Sequence, residues 1–558
     1  MTATYRRIVL VGLSGTGKST LGWLIADRLG WRAIDTDAGI EADLGKPIPR
    51  IFAEDGEPAF RAAERSALHT ALDQDHVVIA TGAGAVVDEA LWSQGPLSNP
   101  GTLTVALTAP LAILHRRLVA QQAISGDAVE RPMLVGDDPI GRMERLKEAR
   151  AAAYSRAALT LDVGATEPSL LAIDIAGLVA PDHDRTPSVV LDLPGVTSDI
   201  YVDPGIVERV AELIDRRWPT AQRLWVITDE NVDRLHGDHV AELPAASGKT
   251  VHRRVVPPGE ASKSWGVAGD LVNWLVETGL QRSDIVVALG GGVVGDLAGF
   301  AAAVALRGVG LVQIPTTLLA MVDSSVGGKT GVNLPSGKNL AGAFYQPPLV
   351  VIDPVFLQTL PARELTASWA EVIKHAIIQP SAPGGDRADL LAFLESNGDA
   401  LRALREPATT YLIRRNVTLK AAVVEADERE ASLRAILNYG HTIGHGIEAA
   451  GYAYLHGEAI AVGMRAAGWI ARELRRLDET SLNRHDRLLD AFGLPATVDA
   501  DPTLVAAKMR TDKKKAAGAQ QWVLADAAGG VTVTTDVPGD IVQAAVVRYA
   551  QTNATEPN

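Results

Sequence analysis

The sequence predicts an α/β protein with a parallel sheet first, a second α/β region next and a mostly helical region last. Strand-like segments alternate with helix-like segments in two separate series, as is typical of parallel sheets. Beyond the second series, strand signals become sparse and long helical segments dominate. The polar segment PDHDRTP lies between the two series and suits an exposed linker. The expected organisation is a domain at 1–180, a linker at 181–187, and domains at 188–353 and 354–558.

Composition narrows the classes of function. A chain of 558 residues is too long for one ordinary core. Its net charge of −14 argues against general affinity for nucleic acid or an anionic membrane, so anionic substrates must meet local basic clusters. Without cysteine, disulfides, thiolate nucleophiles and Cys-based zinc sites are excluded. The apolar runs are too short for a membrane span or a signal peptide, so we expect a cytoplasmic protein that binds small anionic molecules.

A glycine-rich motif, VGLSGTGKST at 11–20, follows the apolar strand RIVLVG and precedes a helix. This pattern predicts a P-loop, in which backbone N–H groups wrap phosphate oxygens at the positive end of the helix. The lysine can reach the β- and γ-phosphates, and the serine hydroxyl can ligate Mg²⁺. A plain glycine-rich turn is the alternative. The expected ligand is ATP with Mg²⁺, held by Gly12, Gly15, Gly17, Lys18, Ser19 and Thr20.

An ordered set of charged residues surrounds this motif. It consists of Asp35 and Asp37 in IDTD, Arg61 in EPAFRAAE, Arg131 in RPML and Arg150, four residues before Tyr154. With these residues, the segment from about 5 to 178 resembles shikimate kinase. The resemblance implies that one aspartate lies on the Mg²⁺ side and the other, Asp37, orients or deprotonates the attacking hydroxyl. It also implies two arginines for the shikimate carboxylate, Arg61 and Arg150, and a catalytic Arg131 in a lid.

One feature of this region departs from the family. After the third strand the family has three glycines, where this chain has Gly82-Ala83-Gly84. The resemblance places these residues against shikimate. The added methyl group would weaken binding, or be tolerated if the φ angle of Ala83 is negative.

A second glycine motif, Gly290-x-Gly292-x-x-Gly295, follows the apolar strand DIVVALG and predicts a Rossmann-like domain. The acidic residue expected about 20 positions later is missing, so Asp229, at the end of RLWVITD, is the candidate ribose partner. The alternative is that the glycines serve only close packing of a helix on the sheet.

A third motif, NYGHTIGHGIEAAGYAYLHGE, is rich in histidine. His441, His445 and Glu448 are spaced i, i+4 and i+7, so they share one face of a helix, and His456 follows. Spacing alone favours His441 and His445 as metal ligands.

From about residue 188 to 550 the chain resembles 3-dehydroquinate synthase. The matching segments include PGEASK, GGGVVGDLAGF, IPTTLLAMVDSSVGGKT, GKNLAGAF, AEVIK and RAILNYGHTIGHGIE. The resemblance implies Glu371, His441 and His456 as ligands of Zn²⁺ or Co²⁺, which replaces the expectation from spacing. His445 becomes a substrate-side residue, and Glu448 orients a ligand.

The resemblance also assigns the remaining residues. For NAD⁺ they are Glu260, Lys263, Asp296, Thr316, Thr317, Asp323 and Lys338, in addition to Gly292, Gly295 and Asp229 from the glycine motif and the end of RLWVITD. For catalysis they are Lys329, Lys374, Arg434 and His445. For the substrate they are Arg307, Asn339, Lys420, Asn438 and Lys514. A homodimer formed through this part is also implied.

The sequence therefore predicts a bifunctional enzyme. One activity phosphorylates shikimate, and the other cyclises 3-deoxy-arabino-heptulosonate 7-phosphate to 3-dehydroquinate with release of phosphate. The alternative is a related sugar-phosphate cyclase, making inosose or valiolone products, fused to a degenerate nucleotide-binding regulatory module.

Overall fold

The computed structural model describes residues 5–93, 95–125, 138–164, 166–179, 186–385, 389–451, 454–515 and 520–551. The chain divides into two compact units. The first, called the P-loop unit here, is Met1–Asp182 with Asp386–Tyr411, and the second, called the metal unit, is His183–Gly385 with Leu412–Asn558.

Strands and helices alternate through much of the chain. The strands are β1 (Arg7–Gly12), β2 (Arg32–Asp35), β3 (Val77–Ala80), β4 (Thr102–Thr108), β5 (Leu159–Asp162), β6 (Val189–Leu193), β7 (Val196–Val202), β8 (Arg223–Asp229), β9 (Thr250–Val256), β10 (Ile285–Gly290), β11 (Gly310–Pro315), β12 (Lys329–Leu334), β13 (Gly337–Phe344), β14 (Leu349–Ile352), β15 (Trp522–Ala525) and β16 (Val531–Thr534).

The helices are α1 (Lys18–Leu29), α2 (Thr36–Leu44), α3 (Ile48–Glu54), α4 (Gly56–Leu72), α5 (Leu111–Ser125), α6 (Pro139–Tyr154), α7 (Pro168–Val179), α8 (Val210–Arg217), α9 (Glu230–Val232), α10 (Asp238–Ala246), α11 (Trp265–Glu277), α12 (Gly292–Val304), α13 (Ala362–Ile378), α14 (Leu390–Arg402), α15 (Ala408–Ala426), α16 (His441–Ala449), α17 (His456–Glu473), α18 (Glu479–Ala491), α19 (Pro502–Lys515) and α20 (Gly539–Tyr549).

The P-loop unit is built on a five-stranded parallel sheet with the strand order β2-β3-β1-β4-β5. Its inner strands are apolar runs because both faces are covered. Val9 and Val11 of β1 pack with Leu68 of α4, whereas Leu10 lies on the face where Gly22 of α1 approaches the sheet. The expected strands RIVLVG and TLTVALT are thus confirmed as β1 and β4.

The edge strand β5 of this sheet is paired with a side chain. The Thr160 N–H donates to Asn397 Oδ1 at 2.9 Å, and Asn397 Nδ2 donates to the Thr160 carbonyl at 2.8 Å. Asn397 is buried on α14, in the part of the P-loop unit that comes from residues 386–411. Its amide therefore satisfies both outward backbone groups of Thr160, much as a neighbouring strand would.

The metal unit contains a seven-stranded sheet in the order β6-β7-β14-β11-β10-β8-β9. All neighbours pair in parallel except β6 with β7. The chain leaves β8 toward one edge, through β9, and leaves β10 toward the other, through β11. The carboxyl ends of β8 and β10 therefore border a topological switch point, where open α/β sheets bind ligands.

Close helix crossings organise the rest of this unit. A Cβ at Gly457 of α17 would lie 1.8 Å from the Ala367 carbonyl of α13, and one at Gly463 would lie 2.0 Å from the Gly440 carbonyl before α16. Glycine is required at these crossings, and they bring the starts of α16 and α17 close to α13. The mostly helical character expected after residue 354 is confirmed, with the hairpin β15–β16 as an addition.

Among the described residues, the helices are too short or too polar to cross a membrane. Most of the expected linker, residues 181–185, lies outside the described residues.

Candidate active sites

The first candidate site lies at the carboxyl end of β1. Glycine is required there, because a Cβ at Gly12 would lie 2.4 Å from the Leu107 carbonyl oxygen and the φ angle of Gly12 is 144°. Gly15 and Gly17 have φ angles of 86° and 84°. Lys18 Nζ donates to the Gly12 carbonyl at 2.8 Å, which folds the ammonium group over the loop. A loop with this geometry before a helix N-terminus is suited to phosphate.

A hydroxyl and a carboxylate meet beside this loop. Ser19 Oγ donates to Asp35 Oδ2 at 2.5 Å. The other oxygen of Asp35 accepts from the backbone N–H groups of Asp37 and Ala38, at 3.0 and 3.2 Å, and so caps α2. Thr20 is exposed in the first turn of α1. The Ser19–Asp35 pair offers the hard oxygen atoms that Mg²⁺ prefers.

The turn after β3 lies between charged side chains. A Cβ at Gly82 would lie 2.3 Å from Glu64 Oε1 and 2.7 Å from Asp37 Oδ1. A Cβ at Gly84 would lie 2.5 Å from Arg61 Nη1. A side chain at either flanking position of the turn would therefore have to displace these charged groups.

The middle position differs. Ala83 is not one of the described residues with a positive φ angle. Its methyl group is therefore not forced into the strained left-handed backbone conformation. Of the two outcomes expected for this departure, the backbone geometry supports tolerance.

Two arginines approach the same turn. Arg61 donates to Glu64 at 2.6 Å and to Glu57 at 3.1 Å, which holds its guanidinium plane. Arg150 is buried on α6. Arg131 lies outside the described residues. The sequence did not single out Glu64, although its i, i+3 spacing from Arg61 was visible.

The second candidate site begins at the switch point of the seven-stranded sheet. Thr228 and Leu289 are register partners, so Asp229 ends β8 next to the place where Gly290 ends β10. Asp229 Oδ1 accepts from the Asn231 N–H at 2.9 Å and caps the following turn. The geometry suits a dinucleotide, with the helix N-terminus of α12 for its phosphates.

Packing explains part of the glycine motif. A Cβ at Gly295 would lie 2.8 Å from Gln313 Oε1, and one at Gly292 would lie 3.0 Å from Ser324 Oγ. The glycines therefore do allow the helix α12 to pack closely on its neighbours, as one of the two interpretations of the sequence expected. This packing is compatible with a dinucleotide site at the turn between β10 and α12. The Thr316 N–H donates to the Gly290 carbonyl at 3.0 Å, and Thr317 accepts from Ala320 N–H at 3.2 Å.

Charged residues border this turn. Lys263 and Asp296 form an ion pair. Glu260 accepts from Asn333 at 2.7 Å, and the Asn339 N–H donates to the same asparagine at 2.8 Å.

A group of three metal-ligating residues lies where α13, α16 and α17 meet. Glu371 Oε1 lies 3.7 Å from His441 Nε2 and 3.4 Å from His456 Nε2. The ligand atoms of all three lie within 4.8 Å of one another. Glu371 Oε1 is buried, and the described residues supply it with no regular hydrogen bond. A carboxylate and two imidazoles around such an oxygen fit Zn²⁺ or Co²⁺ with an open coordination position.

The protonation of these residues follows from their neighbours. Burial opposes ionisation of Glu371, but the Lys374 ammonium beside it and the two imidazoles hold the pKa of its carboxyl well below the usual value. Burial lowers the pKa of His441 well below that of a free imidazole. Burial acts the same way on His456, yet its ion pairs with Glu371 and Glu448 raise its pKa to about 9.

Glu448 and His445 lie beside this group. Glu448 Oε2 is 3.2 Å from His456 Nδ1 and Glu448 Oε1 is 3.1 Å from Lys338 Nζ, so the carboxylate can orient the His456 ring. The His445 ring is 5.1 Å from the His441 ring and is exposed. Of the two histidines favoured by helix spacing, only His441 belongs to the buried group with Glu371; His445 falls instead in a second, more exposed group with Glu448 and His456.

A chain of buried charges leads away from the metal group. Lys374 Nζ contacts Glu371 and lies 3.3 Å from Asp323. Lys420 also pairs with Asp323 and donates to its carbonyl at 2.7 Å. Burial, with the Arg434 guanidinium, lowers the pKa of Lys420 well below its usual value. Ion pairs thus connect four of the expected site residues, which are Glu371, Lys374, Asp323 and Lys420.

Further expected residues form a neighbouring cluster around Glu430. Lys329 and Glu430 form an ion pair, and Asn438 donates to Glu430 at 2.6 Å. Arg434 donates to the Gly327 carbonyl at 3.0 Å, two residues before Lys329. The sequence did not single out Glu430, because its partners come from distant segments.

Two expected residues lie apart from these clusters. Arg307 is exposed in a left-handed conformation after α12 with a φ angle of 67°, and among the described residues it makes no ion pair. Lys514 falls in α19, and its side chain lies outside the described residues.

One buried histidine was also missed. His375 lies one helical turn after Glu371, and its Nδ1 is 2.9 Å from Asn416 Oδ1. Burial, with the nearby Lys374 ammonium, lowers the pKa of His375 to about 3 and keeps the ring neutral.

Comparison with known proteins assigns both parts. A family model described as shikimate kinase matches residues 14–176. Models described as the N-terminal and C-terminal parts of 3-dehydroquinate synthase match residues 253–367 and 368–515.

Curated relatives match the second part. The 3-dehydroquinate synthase of Symbiobacterium thermophilum is 46% identical over 348 residues, which are 62% of this chain and 95% of that relative. The 3-dehydroquinate synthase of Caldanaerobacter subterraneus is 43% identical over 359 residues, covering 64% of this chain and 98% of that relative.

A solved structure matches the same part. It is 2-epi-5-epi-valiolone synthase from Streptomyces hygroscopicus with NAD⁺ and Zn²⁺ bound, at 30% identity and a TM-score of 0.58, covering 64% of this chain and 98% of that one. The chain therefore belongs to the 3-dehydroquinate synthase family in its C-terminal part and carries a shikimate kinase domain before it.

Proposed function

We propose that this chain catalyses two reactions at separate sites. The P-loop unit transfers phosphate from ATP to shikimate, giving shikimate 3-phosphate. The metal unit cyclises 3-deoxy-arabino-heptulosonate 7-phosphate to 3-dehydroquinate and releases phosphate. The observation that carries the proposal is that each unit brings together its own set of groups, a P-loop with neighbouring carboxylates in one and a buried Glu–His–His group in the other.

In the kinase reaction the chain supplies position and charge. The P-loop N–H groups and Lys18 hold the phosphates of ATP, and the Ser19–Asp35 pair offers oxygen atoms to Mg²⁺. Mg²⁺ would neutralise charge on the transferred phosphoryl group. Asp37, next to Gly82, is placed to orient the acceptor hydroxyl. Arg61 and Arg150 bind the shikimate carboxylate, since guanidinium groups match its planar geometry.

In the cyclisation the chain holds the metal, the dinucleotide and an anionic substrate. Zn²⁺ would act as a Lewis acid on substrate hydroxyls, and NAD⁺ would act as a temporary hydride acceptor. Lys374 compensates the buried Glu371 carboxylate, so the ligand stays ionised. Lys329, Lys420 and Arg434 provide positive charge for the phosphate and the carboxylate of the substrate.

A related cyclase is the second candidate, because a valiolone synthase shares the fold at 30% identity. The identity to named 3-dehydroquinate synthases is higher, at 46%. The buried cations around Lys420 and Arg434 also favour a substrate with a carboxylate in addition to its phosphate.

The test is a two-substrate assay on the purified full chain. Phosphate release from the heptulosonate phosphate should require NAD⁺ and stop with a chelator. Shikimate phosphorylation should require ATP and Mg²⁺ and be independent of NAD⁺. Turnover of a heptulose phosphate that lacks the carboxylate, in preference to the acid, would favour the related cyclase.

The proposal includes a homodimer formed through the metal unit, as the family resemblance implies. Light scattering on the purified chain tests it, and the mass of a single chain at assay concentration would contradict it.

A further inference from the structure

Tyr154 links two parts of the kinase site that lie far apart in sequence. It is the last residue of α6, and its hydroxyl donates to the Ala83 carbonyl at 2.6 Å. Arg150 lies four residues earlier on the same face of the helix. Tyr154 therefore joins the carboxyl end of α6 to the turn after β3.

The Tyr154 side chain also lies near Arg150 on the same helix, and the positive charge of the guanidinium acts on the phenol. A phenol has one proton to donate, and here that proton is directed to the Ala83 carbonyl. Burial raises the pKa of Tyr154 despite that guanidinium, so the hydroxyl keeps its proton.

The turn that Tyr154 holds is closely surrounded. Gly82 lies against Glu64 and Asp37, and Gly84 lies against Arg61. A shift of the turn would therefore move it into groups that are expected to hold the acceptor. The Ala83 carbonyl accepts the hydrogen bond from the Tyr154 hydroxyl. This contact holds the turn at a fixed distance from the helix that carries Arg150.

We propose that Tyr154 is a positioning residue of the kinase site, whose hydroxyl ties the 82–84 turn to the helix that carries Arg150 and so fixes the spacing of the acceptor pocket. The proposal rests on the proposed kinase function for its substrate. It requires no contact between Tyr154 and the reacting atoms.

The first test is Tyr154→Phe in the full chain, which removes only the hydroxyl. The KM for shikimate should rise about tenfold, since the hydrogen bond that holds the turn to α6 is lost, while the KM for ATP stays within about twofold. The matched control is Tyr5→Phe, which alters a tyrosine before the start of β1, at the opposite end of that strand from the P-loop. Equal rises in both KM values, or no rise, would overturn the proposal.

A second test asks whether Tyr154 acts through Arg150. In an Arg150→Lys background, Tyr154→Phe should raise the KM for shikimate by less than about threefold, because the guanidinium whose distance from the turn Tyr154 fixes is already lost. An undiminished tenfold rise would show that the hydroxyl acts elsewhere.

A third measurement does not depend on the substrate. Without ligand, hydrogen exchange of residues 82–87 should be faster in Tyr154→Phe than in the wild type and in Tyr5→Phe, because the turn loses its tether. Unchanged exchange overturns the proposal. A wild type that neither binds nor phosphorylates shikimate would instead overturn the proposed kinase function, and the exchange result would still decide the role of Tyr154.

Discussion

The two candidate sites differ in whether backbone groups or side chains form them. The kinase site is formed largely by backbone, with a glycine-rich loop at a helix N-terminus and a turn whose flanking glycines lie against charged side chains. The metal site is formed by charged side chains that are almost fully buried: Glu371 is 0%, Lys374 1% and Arg434 1% exposed. Both bind anions in our proposal, one at the surface of a sheet and one inside a group of helices.

This difference predicts how each site responds to amino-acid substitutions. Breaking one member of a buried charge pair leaves its partner uncompensated, at a cost of about 3–5 kcal/mol, so effects in the metal site should be coupled. In the kinase site the backbone supplies many of the contacts, so side-chain replacements should act locally and only one position of the turn should tolerate change.

The largest effect is expected in the metal site. His456→Ala should remove the metal and lower cyclisation by about a thousandfold or more, because the donor set loses one of three ligands. Metal content after dialysis and the rate of phosphate release measure this. Shikimate phosphorylation should stay unchanged.

His445→Ala is the matched control for that experiment. It should retain the metal and still turn over slowly, since His445 is outside the buried group. A metal-free His445→Ala protein would restore the assignment favoured by helix spacing.

The next largest effect is expected at the P-loop. Lys18→Ala should lower phosphoryl transfer about a hundredfold or more, because the ammonium is placed to stabilise phosphate charge. Cyclisation by the same protein should remain at the wild-type rate. If both activities fall together while the chain stays folded, the two sites are not independent.

A smaller and more selective effect is expected at the turn after β3. Gly82→Ala should raise the KM for shikimate about tenfold, because its Cβ would lie 2.3 Å from Glu64 Oε1. Ala83→Gly should change the same KM by less than about threefold, since the methyl group meets no comparable restriction. Steady-state kinetics of the two variants decides it, and a larger effect of Ala83→Gly would refute this account of the turn.

The smallest effect on activity is expected at Asn397. Asn397→Leu should lower the free energy of unfolding of the P-loop unit by about 1–3 kcal/mol, because both backbone groups of Thr160 lose their partner. Thermal inactivation of the kinase reaction measures this, with the exposed neighbour Ser396→Ala as control. Identical inactivation curves for the two variants would show that the amide pairing is dispensable.

Local patterns were predictable because their causes are local. RIVLVG is a buried strand and GTGKS leads into a helix because apolar runs and glycine geometry act over a few residues. The i, i+4 histidines of α16 were predictable for the same reason. The roles of the individual site residues remain predictions, and apart from the P-loop residues and Asp229 they came from family resemblance rather than from spacing.

Other features could not be read from local pattern. Glu430 joins Lys329 to Asn438, and Asn397 pairs with Thr160, across long stretches of chain. These contacts form only when the helices, strands and loops have packed together.

The sequence by itself determined the α/β class, the P-loop, the glycine-rich strand ends and the supply of histidines, since each depends on neighbours within a few residues. Only the tertiary structure decided that Glu371 of α13 lies beside His441 and His456, that Ala83 is held by Tyr154, and that residues 386–411 join the P-loop unit. The physical reason is that a binding site depends on distances of a few ångströms between residues far apart in the chain. Those distances are set by close packing at positions such as Gly457 and Gly463.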